Sequence, residues 1–202
     1  MNKKNPTRRA TRGKVFILSG PSGSGKTTLY KRLLLNRKFK KCLVKSISIT
    51  TRSRRQGEQA GRDYIFVNPK MFLNRVSRGQ FLEWQKVFDQ YYGTPKKPVL
   101  DWLKLGKNVL LCIDVKGARD ISQLKCLTVR IFIKPPSLKV LKQRLAKRGS
   151  EGKEDLYRRL ETARGELKEA KSYDYIVTND NISQALKKLE EIICSEMKSP
   201  HG

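Results

Sequence analysis

Apolar residues in this 202-residue chain fall into short runs that alternate with stretches of helical spacing. The unbroken run at 15–19 (VFILS) predicts a strand buried on both faces, and 25–35 predicts a helix. A strand is expected over 44–50 (VKSISIT), a polar loop rich in Arg and Gly over 51–62, and a short strand over 63–67 (DYIFV). Pro69 opens a helix over 69–78, because proline suits a first helical turn. Residues 81–92 carry aromatics and end at Gly93, and Gly106 closes a helix over 95–105. Strands follow at 108–115 (NVLLCIDV) and 128–133 (TVRIFI). Ser137 caps a helix over 137–147 that Gly149 stops, and a long helix runs over 154–171. A last strand at 175–178 and an amphipathic helix over 182–197 complete the pattern. Strands separated by helices imply an α/β fold with one parallel sheet covered on both faces. The stretch 46–94 breaks that alternation and reads as an inserted module of short strands and loops.

The length suits one α/β domain with a real core. No apolar run approaches the roughly 20 residues of a membrane span, and VFIL is too short for the core of a signal peptide. Cys42, Cys112, Cys126 and Cys194 lie far apart, and the one histidine is His201. That spacing argues against zinc and for reduced thiols in a cytoplasm. Charge adds an unusual feature: 45 Lys and Arg against 18 Asp and Glu give +27, and no acidic residue precedes Glu58. This reads either as a solvated basic surface or as a footprint for polyanions. Residues 1–13 are expected to form a disordered basic tail that offers a contact for nucleic acid, though not as the main role. Nothing in the residues specifies an oligomer.

Chemistry enters at GPSGSGKTT. The match Gly20-x-x-x-x-Gly25-Lys26-Thr27 sits between a strand and a helix, the setting of a phosphate-binding P-loop. Gly20, Pro21, Ser22, Gly23, Ser24, Gly25, Lys26, Thr27 and Thr28 are the expected ATP-binding segment. Inward-turned backbone N–H groups and the positive end of the helix dipole suit an anion. Lys26 would reach the β and γ phosphates, and the Thr27 hydroxyl would bind Mg²⁺. The loop alone does not separate a switch, a motor and a kinase.

An acceptor site would separate them. The loop Thr51-Arg52-Ser53-Arg54-Arg55 brings three guanidinium groups together, and these match phosphate oxygens bidentately. Further on come Tyr64, Phe81-Leu82-Glu83-Trp84 and Tyr91-Tyr92-Gly93-Thr94. With these motifs in order from Val15 to Met197, the chain resembles the guanylate kinases. The resemblance implies a three-layer P-loop NTPase fold with a parallel core sheet, an inserted nucleoside-monophosphate module and a helical lid. It divides residues 14–202 into a core (14–45, 95–136 and 166–202), a GMP-binding insert (46–94) and a lid (137–165). It also implies ATP and GMP as substrates and phosphoryl transfer between them in purine metabolism. Ser48, Arg52, Arg55 and Tyr64 would hold the GMP phosphate. Glu83 would read the guanine edge, Thr94 would donate to its O6, and Tyr92 and Asp114 would complete the pocket. Lys26 and Arg52 would act in catalysis with Arg144, Arg148 and Arg159, which would close as a lid. Asn179 would sit near the adenine.

Chemistry of the bases agrees. One carboxylate can accept both N1–H and the exocyclic amine of guanine, whereas adenine would leave it unpaired. From the residues alone, Glu83 reads as a surface glutamate beside a core tryptophan. The chain departs from the family pattern at three places: Arg54 stands for Pro, Cys112 for the first acid of D-I-D, and Asn181 for the last acid of N-D-D. Rival readings are a GTP-binding switch using Asp114-x-x-Gly117, a non-catalytic scaffold of the same fold, a kinase for another phosphorylated small molecule, and a nucleic-acid-associated protein. The first lacks an N-K-x-D segment for guanine, and the second would not need an intact P-loop.

Overall fold

A computed structural model describes residues 13–122, 128–147 and 153–199. The expected tail, Arg148, the 149–152 break, Cys126 and His201 lie outside them, apart from Gly13, which is buried and donates its N–H to Leu103 O (3.3 Å).

Five parallel strands form the core sheet: β1 (Val15–Ser19), β2 (Leu43–Lys45), β7 (Asn108–Cys112), β8 (Thr128–Lys134) and β9 (Tyr175–Thr178), in the order β2-β7-β1-β8-β9. β1 is central and buried throughout, as its unbroken apolar run requires. Its side chains alternate between the two faces. Phe16 and Leu18 join Leu29 and Leu33 of α1 (Lys26–Leu35) and Leu189 and Ile193 of α7 (Ile182–Lys198). Val15 and Ile17 join Val99 and Leu103 of α3 (Lys96–Lys104) and Ala118 and Ile121 of α4 (Val115–Ser122). The three-layer α/β architecture read from the sequence is therefore the observed one.

The insert has its own four-stranded sheet, in the order β4-β3-β6-β5: β3 (Ile49–Thr50), β4 (Ile65–Phe66), β5 (Phe81–Val87) and β6 (Gln90–Pro95). Helix α2 (Pro69–Ser77) covers it with the fully buried Phe72, stacked 4.6 Å from Phe81 and 5.3 Å from Tyr91 between ring centroids. Asn68 caps α2 by accepting from Met71 N (2.8 Å), and Pro69 takes the first turn. The segment expected to act as a lid holds α5 (Leu138–Ala146), capped by Ser137, and α6 (Lys153–Lys168), which continues into a 3₁₀ turn over Glu169–Ser172. Leu141, Leu145 and Ala163 seal the two helices together with Leu156 and Leu160.

Three expectations change. The strand expected over 44–50 is two strands in different sheets. Ser46 N makes a last bond to Leu110 O (3.0 Å), after which the chain leaves the core sheet and pairs again at Ile49. The strand expected over 108–115 ends at Cys112, because Asp114 starts a helix. Asp114 Oδ1 accepts from Gly117 N (2.7 Å) and its carbonyl from Ala118 N (3.0 Å). Val115, Ala118 and Ile121, three residues apart, are the buried stripe of α4. The long helix expected over 154–171 tightens to 3₁₀ from Glu169.

Candidate active site

Open parallel sheets bind ligands beyond the carboxyl ends of their strands, where the chain order changes direction. Here that point is β1, flanked by β7 on one side and β8 on the other. A cavity of about 330 Å³ lies there, walled by the loop after β1, the end of β7, the insert sheet and α6.

The loop after β1 takes its shape from glycines. Gly20, Gly23 and Gly25 have φ of 132°, 86° and 95°, a region that side chains disfavour. A Cβ on Gly20 would lie 2.3 Å from Ile133 O, and one on Gly25 would lie 2.1 Å from Asn179 Nδ2. Lys26 Nζ donates to the carbonyls of Gly20 (2.5 Å) and Pro21 (3.0 Å), so the ammonium is held over its own loop. Gly20, Ser22, Gly23, Gly25, Lys26 and Thr27 face the cavity, whereas Pro21, Ser24 and Thr28 do not line it. Asn179, nearly buried, donates from Nδ2 to Ser24 O (2.8 Å) and braces the loop from behind. Arg144 Nη2 in turn donates to Asn179 O (3.0 Å), so both residues stand behind the loop and neither lines the cavity.

The insert supplies the opposite wall. Ser48, Arg52, Arg55, Tyr64, Glu83 and Tyr92 line it together with Asp114. Arg52 Nη2 is held by both oxygens of Glu58 (2.8 and 3.0 Å), and Glu58 Oε2 also accepts from Arg55 N (2.9 Å). Burial alone would raise the Glu58 pKa, but the bonds from Arg52 and Arg55 outweigh it and hold the carboxyl below its usual range. Glu58 thus fixes the first arginine of the clamp, a role its place in the Arg-rich loop did not reveal. Arg54 is exposed and does not line the cavity, so that departure from the family pattern lies outside the site.

Glu83 is 6% exposed, while its neighbour Trp84 is 40% exposed. Thr94, fully buried, donates its hydroxyl to Glu83 Oε1 (2.5 Å). Burial pushes the Glu83 carboxyl up to about 7; the Thr94 bond opposes this and the nearby Asp114 and Asp120 charges add to it. Gly117 makes the place for this group: a Cβ there would lie 2.5 Å from Glu83 Oε2. Burial raises Asp114 as well, against Gly117 N–H and Lys26. Cys112, in the position of the missing acid, lines the cavity, and burial pushes its thiol up, which keeps it neutral.

Arg159 of α6 reaches the cavity, as do Thr162 and Glu166, which sequence reasoning missed. Asp63 was missed too. It is buried, ion-paired to Lys31 Nζ (2.5 Å), and accepts from Gln59 N (2.9 Å). Lys45 Nζ donates to the carbonyls of Arg62 (3.2 Å) and Asp63 (3.1 Å) and to Tyr30 OH (3.2 Å). The roles of Asp63 and Lys45 lie in partners from other elements, which their local sequence does not show.

One cavity thus has the glycine-rich loop and Lys26 on one wall, and the arginines and the buried Glu83 carboxyl of the insert on the other. A family model described as guanylate kinase matches residues 12–196. The guanylate kinase of Rickettsia prowazekii (strain Madrid E) is 44% identical over 185 residues, covering 92% of each chain. That of Thermotoga maritima is 42% identical over 185 residues, covering 92% of this chain and 88% of the other. The crystal structure of guanylate kinase from Anaplasma phagocytophilum superposes with a TM-score of 0.76 at 33% identity, covering 94% of this chain and 88% of that one. With the family model, the relatives and the fold in agreement over nearly its whole length, this chain belongs to the guanylate kinase family.

Proposed function

We propose that this protein transfers the γ-phosphoryl group of ATP to GMP, giving ADP and GDP. The observation that carries the reading is one cavity with Lys26 on one wall and the buried, Thr94-bonded Glu83 on the other. Ionised Glu83 accepts guanine N1–H and the exocyclic N–H, and the Thr94 hydroxyl turns from Glu83 to O6. Adenine offers no N1 proton and would leave the carboxylate buried and unpaired. Arg52, Arg55, Ser48 and Tyr64 take the GMP phosphate. The N–H groups of the loop at 20–25 take the ATP phosphates, with Lys26 on the β and γ groups. An oxygen of the GMP phosphate attacks the γ phosphorus. The bond to the β,γ-bridging oxygen breaks, and its electron pair leaves with ADP. The attacking oxygen is already anionic near neutral pH, so no strong general base is required. Catalysis is positioning and charge neutralisation, supplied by Lys26, Arg52 and Arg159. Arg144 acts through Asn179 on the loop, and Arg148 completes the set of lid arginines.

The donor set suits a Mg²⁺ ion that arrives on ATP. Thr27 offers one hydroxyl in the cavity, and no group of three or more His, Cys, Asp or Glu among the described residues forms a cage of its own. Thr27 would hold the ion, which would supply neutralisation of the charge on the ATP phosphates. Among the described residues no helix is long and apolar enough to cross a membrane. A reducing cytoplasm, where both nucleotides occur, suits the free thiols of Cys42, Cys112 and Cys194. A coupled assay with Mg·ATP and GMP, AMP, CMP or UMP in parallel tests the reading. Turnover should favour GMP by at least about 10⁴ in kcat/KM. Equal use of the four, or no turnover with GMP, overturns it.

A further inference from the structure

The hairpin between β5 and β6 turns on two residues, Phe88 and Asp89, with φ of 46° and 61°. Two-residue turns of this kind are free of strain with Asn-Gly, whose residues tolerate the left-handed region. A phenylalanine there is an outlier. The ring does not serve the insert's own core: it is 45% exposed, and the aromatic cluster under the sheet is built by Phe72, Phe81, Trp84 and Tyr91. What the ring meets is the lid. The Arg159 guanidinium carbon stands 5.4 Å from its centroid, and both residues line the catalytic cavity. Strain at a bulky residue persists where its surroundings need that residue.

We propose that Phe88 is a positioning residue for Arg159: its ring face anchors the guanidinium of lid helix α6 to the acceptor module, above the site of transfer. An aromatic face suits this task. It attracts a cation without adding a charge that would compete with the phosphoryl group, and without consuming N–H donors. A carboxylate at the same place would neutralise the arginine. The inference rests on the role given above to Arg159.

Steady-state kinetics with Mg·ATP and GMP, together with thermal melts, test it on the full chain. Phe88→Asn relieves the turn, so Tm should rise by about 2–4 °C. At the same time kcat should fall about two- to fivefold, the range of an exposed cation–π contact, with both KM values nearly unchanged. Phe88→Tyr, which keeps the ring, should hold kcat within about twofold. In an Arg159→Ala background, Phe88→Asn should lower kcat no further. If Arg159→Ala lowers kcat and Phe88→Asn does not, the anchoring role is overturned while the role of Arg159 stands. If Tm and kcat fall together in Phe88→Asn, the ring is only structural and the proposal fails. An unchanged kcat in Arg159→Ala removes the role of Arg159 itself.

Discussion

Glu83, the proposed reader of guanine, shows how burial changes a common side chain. It is more deeply buried than its neighbour Trp84, which packs edge-on against Phe72 yet stays 40% exposed, the reverse of what hydrophobicity alone assigns. Its folded pKa of about 7 lies above the unfolded value of 4.5. Below pH 4.5 the carboxyl is protonated in both states and its contribution to stability is fully present. As pH rises to about 7 the unfolded chain ionises first, and about 3 kcal/mol of that contribution is lost. Glu83→Gln cannot ionise, so urea unfolding at pH 4.5 and pH 8 should show the variant gaining about 3 kcal/mol on wild type across the interval. In the proposed reaction the same titration governs binding, because only the carboxylate would accept both guanine donors. The kcat/KM for GMP should rise as pH passes through about 7, and Glu83→Gln should lose that limb and about 10- to 100-fold of the preference for GMP over AMP. Lys26 belongs to the same scale. Its bonds to Gly20 and Pro21 place the charge before ATP arrives. Lys26→Ala should lower kcat by about 10²–10³ or more with an unchanged circular dichroism spectrum.

Among the elements, α4 decides how well the carboxylate is placed. Asp114 starts the helix and Gly117 lies in its first turn, where a methyl group would stand 2.5 Å from Glu83 Oε2 and 3.0 Å from Cδ. Gly117→Ala should therefore raise KM for GMP about tenfold or more and leave KM for ATP near wild type, as measured with each substrate varied in turn. The sequence hid this helix. Cys112, Ile113 and Val115 continue the apolar run of β7, and only the cap at Asp114 marks the change. The split of the 44–50 stretch was hidden for a related reason: its apolar pattern suits either sheet, and pairing partners are not written in it. Elements with local punctuation were legible. Pro69 with Asn68, Ser137 and Gly106 each bound a helix near the position read from the sequence. Asn181 caps α7 by accepting from Ser183 N (2.9 Å) and Gln184 N (3.2 Å), so the amide that replaces the family's acid still serves the helix.

Across the whole molecule, the proposed reaction requires two sheets to hold two anionic substrates against each other. The tie between them is polar: Lys31 of α1 grips Asp63 of the insert at 2.5 Å, and Lys45 of β2 grips the adjacent carbonyls. Burial alone would raise Asp63, but the Lys31 bond outweighs it and holds the carboxyl low, so this tie persists above the unfolded pKa and weakens as pH falls through the folded one. Asp63→Asn should cost about 1–2 kcal/mol, seen as a Tm lowered by about 2–6 °C. It should also raise KM for GMP several-fold while KM for ATP, proposed to bind at the other wall, changes little. The sequence by itself determined the phosphate loop, the buried central strand, the helix caps and the ordered motifs that name the family. These rest on φ angles, hydrogen bonds and periods set by neighbours in the chain. Only the tertiary structure decided that Glu83 is buried against Gly117, that Asn179 and Arg144 stand behind the loop, that Asp63 ties the two sheets, and that Phe88 meets Arg159. The physical reason is that desolvation and charge pairing depend on groups brought together from distant parts of the chain, and local sequence does not encode which of them will meet.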